Sequence, residues 1–244
     1  MYVVLTGLCA MMCMWILGFP GTWRGGWAWH DALIDKWARN TQKSGHLVTP
    51  KTLLTKYKGH PVAQLCHILP GAVWAGLIPF QLYPGMRKSF RKAHRAGGYL
   101  FAGTAYLMMV GFAYIDVKGL LYIHADFPHI PAEHNTTALP VHVPHEPVFR
   151  GVAAWFLITI SLAVWHAAHR RFSQHRKWIL RHIASGIWVA VQRLYVGISN
   201  GKTPAEQKIA FGDGAVVGVV LCCAAAELAV WGYEEPRAPK RKVK

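Results

Sequence analysis

Apolar stretches of nearly constant length recur along this chain and limit what it can fold into. A helix needs roughly 20 mostly apolar residues to cross about 30 Å of hydrocarbon. Because backbone polar groups find no water in lipid, a chain that repeats this pattern is predicted to form an all-α, integral membrane helical bundle. About six spans are predicted: Tyr2–Phe19, Pro61–Tyr83, Ala96–Ile115, Val148–Ala168, Ile183–Asn200 and Ala215–Tyr233.

The positive charges lie between these stretches and are distributed unevenly. Hydrophobic residues make up 53% of the chain, yet it also carries 27 lysines and arginines. They cluster in the turns Met86–Arg95 and His169–His182 and in the tail Pro236–Lys244, whereas Ala125–Pro147 has none. Short basic loops stay on the cytoplasmic side, or on the matrix side in a mitochondrion. We therefore expect both turns and the tail on that side of a mitochondrial inner membrane or a bacterial-type plasma membrane.

The amino-terminal region fits this topology less well. Counting spans backwards places the amino terminus inside and the basic segment Trp23–His60 outside, where a partner or anionic headgroups would have to neutralise it. Tyr2–Phe19 is predicted to be a retained span, because no basic residue precedes it and no small-x-small cleavage site follows it. Asp31–Ala38, with Trp37 and the nearby Trp27 and Trp29, is predicted to form an amphipathic helix that lies in the interface or docks a neighbour.

Several common classes of function have no support in the sequence. All five cysteines fall inside apolar spans without a zinc-site spacing, so neither a disulfide framework nor a structural zinc site is predicted. Nucleotide-binding, hydrolase and zinc-protease motifs are absent from the sequence. The net charge of +16 is explained by membrane topology and does not require nucleic acid as a partner.

Histidine is the residue type that carries the chemistry of this chain. Two imidazoles from facing helices at equal depth can hold a haem iron, provided that the second nitrogen of each ring has its own partner. His94 and His175 lie at the inner ends of two spans, and His67 and His145 lie near the outer face. The sequence therefore predicts two haem sites, as in two-haem b-type cytochromes.

Alternative ligands and alternative roles for these histidines remain open. His166, His169 and His182 are further candidates for the inner site. Histidines at helix ends can also simply bind headgroups or lie in the interface. Five histidines in the outer loop offer a zinc or copper site, although an ordinary solvated loop explains them equally well. These are His124, His129, His134, His142 and His145.

The central part of the chain resembles a multi-spanning membrane family, known mainly from bacteria and catalogued only as a domain of unknown function. The resemblance covers about His67 to Tyr195 and is carried by short motifs in a fixed order. These are His67 with Gly71, Gly76 and Pro79-Phe80-Gln81; Arg87 and His94-Arg95-x-x-Gly98-Tyr99; Trp155 and Thr159; His175-Arg176-Lys177-Trp178-Ile179; and Gln192-Arg193-Leu194.

That resemblance implies a four-helix core formed by the second to fifth spans, and it implies no activity. Ile179 stands where the family pattern has methionine, and His145 falls outside the pattern. The predicted organisation is an amino-terminal span with an interfacial segment (1–60), the four-helix membrane core (61–200), and a sixth span with a basic tail (201–244).

Arg193 and Glu227 are charged residues inside predicted spans, where charge is costly and usually functional. We expect them to pair between the fifth and sixth spans. Such a pair is either an interhelical lock or part of a site in which Arg193 faces a haem propionate or a quinone headgroup.

Three functional hypotheses follow from the sequence. The first is transmembrane electron transfer with haem b as the cofactor. The second is an accessory subunit of a larger respiratory or photosynthetic membrane complex, without haem. In both cases the partners are the lipid bilayer and other membrane-protein subunits. The third, transport, has the least support, because the sequence shows neither an inverted repeat nor a pair of broken spans.

Overall fold

The computed structural model describes residues 2–18, 32, 35–36, 39, 56–121, 145–199, 201 and 203–232. Within these ranges the chain forms helices and no strand, which confirms the all-α prediction. The interfacial segment Asp31–Ala38, the loop Ala125–Pro147 and the basic tail lie wholly or mostly outside the described residues. The helices are α1 (Tyr2–Gly18), α2 (Pro61–Leu82), α3 (Pro84–Ser89), α4 (Arg91–Val117), α5 (His145–Ala168), α6 (Phe172–Ser199) and α7 (Pro204–Trp231).

Four of these helices are long and apolar enough to cross a membrane, which supports an integral membrane location. They are Pro61–Leu82, Arg91–Val117, Pro147–Ala168 and Ala205–Trp231. The other two predicted spans correspond to α1, which has only 17 residues, and to α6, which carries several charged and polar side chains. Helix α1 is short for a span of about 30 Å, and α6 is too polar to be recognised by composition.

Hydrogen bonds and ion pairs show how the helices run relative to one another. Tyr2 at the start of α1 donates its hydroxyl to the carbonyl oxygen of Pro79 near the end of α2, at 3.0 Å. At the other end of the bundle, Arg150 near the start of α5 makes a bidentate ion pair with Asp116 at the end of α4. The bundle therefore has a basic end, defined by α3 and by the starts of α4 and α6, and an opposite end where α2 and α5 begin.

A π-helical turn interrupts α2 at Gln64–Ile68 and brings its backbone against α4. The closest approach is at Gly111, where an added methyl group would lie 2.6 Å from both the carbonyl carbon of Cys66 and the amide nitrogen of His67. Only glycine fits this contact without displacing one of the two helices.

One hydrophobic core joins all six long helices. It extends from Cys9 of α1 through Trp74 of α2 and Trp188 of α6 to Ala226 of α7. Helices α1 and α7, which flank the predicted four-helix region, therefore share its core. Helix α6 packs against α1, α5 and α7.

Candidate functional site

Three histidines lie at the basic end of the bundle, on three different helices. His94 is in the first turn of α4, His175 in the first turn of α6, and His166 in the last turn of α5. His175 bonds through Nδ1 to the carbonyl oxygen of Ala163 at 2.8 Å. Since a carbonyl only accepts, Nδ1 carries the proton and donates, and Nε2 keeps an open lone pair.

His94 lies close enough to His175 and to Arg87 for their charges to interact with its ring. Its Nδ1 is buried and has no hydrogen-bond partner among the residues that the structure describes. A buried polar atom without a partner costs about 1–3 kcal/mol, so such atoms in native structures usually have a role or a missing ligand. The structure thus brings the predicted inner pair to the same end of the bundle and leaves one of its rings incompletely bonded.

Two further buried nitrogens at this end also have no hydrogen-bond partner among the described residues. They are Nδ1 of His166 and Nε2 of Gln81. His166 packs against the ring of Trp165 and lies within electrostatic range of His175. Gln81 approaches Gly97, one helical turn beyond His94. Three buried nitrogens without a hydrogen-bond partner in the described part of the chain therefore lie at this end.

His169 differs from these neighbours, because it is exposed and is held by a local contact. Its Nδ1 bonds to the carbonyl oxygen of Trp165 at 2.8 Å, within the same turn of chain. This histidine, a runner-up ligand by sequence, is therefore more exposed than His94, His166 and His175.

His182, another runner-up ligand, is a fully satisfied core residue with no exposed surface. Its Nε2 accepts the indole N–H of Trp74 at 3.0 Å, so Nδ1 is protonated and faces the carbonyl oxygen of Phe156 at 3.2 Å. Both nitrogens are used, and neither can bind a metal without breaking these bonds. Its role is to join α2, α5 and α6.

At the opposite end, His67 lies inside the π-helical turn of α2. Its Nδ1 donates to the carbonyl oxygen of Met108 on α4 at 2.8 Å. His145, its predicted partner, is the first residue of α5, and its side chain lies outside the described part of the chain. Of the predicted outer pair, the structure thus describes the side chain of His67 and not that of His145.

His67 lines a partly open cavity of about 280 Å³ between the helices. Arg193 of α6 also lines it, and its guanidinium lies 4.9 Å from the ring centres of both Trp15 and Phe211. The predicted ion pair between Arg193 and Glu227 is wrong: Glu227 pairs with Arg181, at 2.6 and 2.8 Å. Glu227 lies near the end of α7 and so meets the start of α6, where Arg181 is found.

A conventional metal site is not formed by the described residues. No group of three or more histidine, cysteine, aspartate or glutamate side chains lies close enough there to hold a metal ion. Two-histidine ligation of a haem needs no third protein ligand, so this finding does not bear on it. The histidine-rich loop from His124 to His142, proposed as a zinc or copper site, lies outside the described residues.

Sequence reasoning did not identify Trp74 as the hydrogen-bond donor to His182, or Gln81 as the carrier of a buried nitrogen without a partner among the described residues. A signal was present for Trp74, because a tryptophan within a span needs an acceptor for its N–H. Thr159 was part of the family-like pattern, and its hydroxyl lies 3.3 Å from Nδ1 of His182.

No family model, curated protein or solved structure matches this chain. The resemblance to the uncharacterised family stays a prediction.

Proposed function

We propose that this multi-pass membrane protein binds a b-type haem at its basic end, with His94 and His175 as ligands, and carries electrons within the membrane. The observation that carries the proposal is the state of these two rings. One is oriented by a carbonyl on a neighbouring helix, and the other has a buried nitrogen that lacks a partner among the described residues.

His175 has the arrangement that metal-binding histidines favour. The hydrogen bond from its Nδ1 to Ala163 fixes the tautomer and the ring orientation, and it raises the basicity of Nε2. Because Ala163 is on α5 and His175 is on α6, the ring is held by the packing of two helices.

His94 supplies the second imidazole from a third helix. Binding to iron would give this ring a partner that no described residue provides, and it would offset the cost of burying it. The pairing is supported by the course of the two helices. Helices α4 and α6 both start at the basic end, and His94 and His175 are in their first turns.

Positive charge surrounds the two rings. Arg87 lies within electrostatic range of His94, and Arg176 lies within range of His175. Haem propionates are anionic, and arginine forms strong charge-assisted bonds with carboxylates. When bound, the haem supplies a one-electron redox couple whose potential depends on its axial ligands and their surroundings.

The test is a reduced-minus-oxidised optical spectrum of the protein, purified in mild detergent from haem-replete cells. The expected result is a b-type α band with about one haem per chain. His94→Ala and His175→Ala should each abolish the band. His169→Ala is the matched control, because this histidine lies at the same end of the bundle but is exposed and bonds only within its own turn of chain, to Trp165.

Two outcomes would overturn the proposal. One is folded wild-type protein without haem, which would favour the accessory-subunit hypothesis and direct attention to partners on native gels. The other is a haem spectrum that survives both substitutions.

A further inference from the structure

The exposed side of α4 carries three cations around a second open cavity, at the basic end of the bundle. Arg91, Lys92 and Arg95 are exposed there, and together with Ala96 and Tyr99 they line a space of about 280 Å³. Arg91, Arg95 and Tyr99 are four residues apart, so they follow one another along one face of the helix. This space, named here the basic cavity, is thus bordered by two guanidinium groups, an ammonium group and a phenol.

The three cations are not neutralised within the described part of the chain. No carboxylate there makes an ion pair with Arg91, Lys92 or Arg95. Elsewhere in the bundle, by contrast, Arg150 and Arg181 each pair with a carboxylate. Like charges four residues apart on a helix destabilise each other, as Arg91 and Arg95 do here. An anion in the basic cavity would offset that repulsion.

The side chains that line the basic cavity suit a phosphate group. The planar fork of an arginine can donate to two phosphate oxygens at once, and a lysine adds a compact positive charge. Tyr99 supplies a phenolic O–H donor, and its side chain is 74% exposed. Tyrosine is enriched where a membrane span meets the headgroups. The chemistry of the cavity is therefore that of a phosphate held at a membrane surface.

An apolar stripe continues from the basic cavity along the exposed side of α4. It consists of Leu100, Gly103, Leu107 and Val110, which are exposed and spaced three or four residues apart. A methyl group added at Gly103 would meet nothing within 4 Å, so the helix backbone is open to an approaching chain at this point. From Tyr99 to Val110 the helix rises about 16.5 Å, close to half the thickness of the hydrocarbon core and so to the depth of one leaflet.

We infer that the basic cavity binds the headgroup phosphate of an anionic membrane phospholipid, such as phosphatidylglycerol, with an acyl chain along the apolar stripe. Charge and shape argue for a lipid together: the cations need an anion, and the stripe below them has the length and polarity of a lipid tail. A soluble phosphate compound would leave the stripe unused. The inference goes beyond the proposed haem and does not depend on it, because Arg91, Lys92 and Arg95 have no part in the haem site.

The experiment is native mass spectrometry of the delipidated full-length protein in mild detergent, titrated with dioleoyl phosphatidylglycerol or dioleoyl phosphatidylcholine. The wild type should bind one phosphatidylglycerol at concentrations where phosphatidylcholine binds little. Arg95→Gln should weaken this binding about fivefold, the effect expected when one cation near anionic headgroups is removed. Arg170→Gln is the matched control and should bind like the wild type, because it removes the same charge from the exposed turn between α5 and α6 at the same end.

A second variant and a soluble competitor keep the test decisive. Arg91→Gln should show the same loss as Arg95→Gln, and glycerophosphoglycerol, the headgroup without its acyl chains, should compete only weakly. Equal binding by Arg95→Gln, Arg91→Gln and Arg170→Gln would overturn the inference, because the attraction would then be a property of the whole basic end. Equal affinity of the wild type for the two lipids would also overturn it. So would glycerophosphoglycerol binding as tightly as the lipid, which would indicate a site for soluble phosphate compounds. The haem content of each variant, read separately, reports on the proposed function alone.

Discussion

The indole N–H of Trp74 donates to Nε2 of His182 at 3.0 Å, in a part of the core that water does not reach. Trp74 also stacks on Phe101 of α4, with ring centres 5.6 Å apart. His182 in turn faces the carbonyl oxygen of Phe156 on α5. This single contact therefore organises α2, α4, α5 and α6 around one point.

Trp74→Phe should destabilise the bundle. The substitution leaves Nε2 of His182 buried without a donor, which costs about 1–3 kcal/mol, and it adds a cavity where the larger ring was. Thermal unfolding in detergent, followed by circular dichroism, measures the loss. Trp231→Phe is the control, because Trp231 is 74% exposed. Equal melting temperatures for the two variants would contradict the role of the hydrogen bond.

Gly111→Ala should separate α4 from the π-helical turn. The new methyl group would meet backbone atoms at 2.6 Å, which cannot move as a side-chain end can. We expect a loss of about 1–3 kcal/mol in unfolding free energy, as for other overpacked cores. Gly103→Ala in the same helix has open space around it and should be neutral or slightly stabilising. Equal unfolding free energies for Gly111→Ala and Gly103→Ala would contradict the close approach of α4 to the π-helical turn.

Arg181 and Glu227 should show energetic coupling in a double-mutant cycle. The pair is bidentate but partly exposed, with 22% and 46% of the two side chains accessible, so a coupling of about 0.2–1 kcal/mol is expected. The variants are Arg181→Met, Glu227→Gln and their combination. A parallel cycle with Arg193→Met and Glu227→Gln should be additive to within about 0.3–0.5 kcal/mol. A larger coupling between Arg193 and Glu227 than between Arg181 and Glu227 would instead support the ion pair predicted from the sequence.

Thr203→Ala should weaken the start of α7. The Thr203 side-chain oxygen accepts the amide N–H of Glu206 at 3.2 Å and so caps the helix. Loss of such a cap costs about 0.5–2 kcal/mol. Thr203→Ser keeps the oxygen and should retain most of the stability. Hydrogen exchange of the amides in the first turn of α7 would locate the effect, and unchanged exchange in Thr203→Ala would argue against the cap.

The apolar stretches in the sequence predicted which segments are helical, but they did not predict the first residue of every helix. The second span was predicted as Pro61–Tyr83 and is Pro61–Leu82. By contrast, α4 begins at Arg91 rather than Ala96, and α7 at Pro204 rather than Ala215. Charged first turns remain helical beyond the lipid, so hydropathy alone misses them. For α7 the Thr203-Pro204 pair is a helix-start signal of the usual kind.

The candidate site was only partly predictable, for a physical reason. Sequence position gives the depth of a residue along a span, and depth correctly put His94 and His175 at one end. It does not give the face of the helix, so His182 remained a ligand candidate until its two hydrogen bonds were seen. The predicted partner of Glu227 was wrong because its depth in the bundle was misjudged. Arg181, not Arg193, lies at the level of Glu227.

The position of α6 against α1, α5 and α7 has a consequence for how the protein is made. This helix carries His182, Ser185 and Gln192 as buried polar residues, together with Arg181 and Arg193, and it packs against α1, α5 and α7. A segment with these side chains is unfavourable in lipid on its own, since an arginine near the centre of a span adds about 2.5–3.5 kcal/mol to the apparent insertion energy. We therefore expect α6 to enter a membrane together with its neighbours, and a chain that ends before α7 to leave these polar residues uncovered.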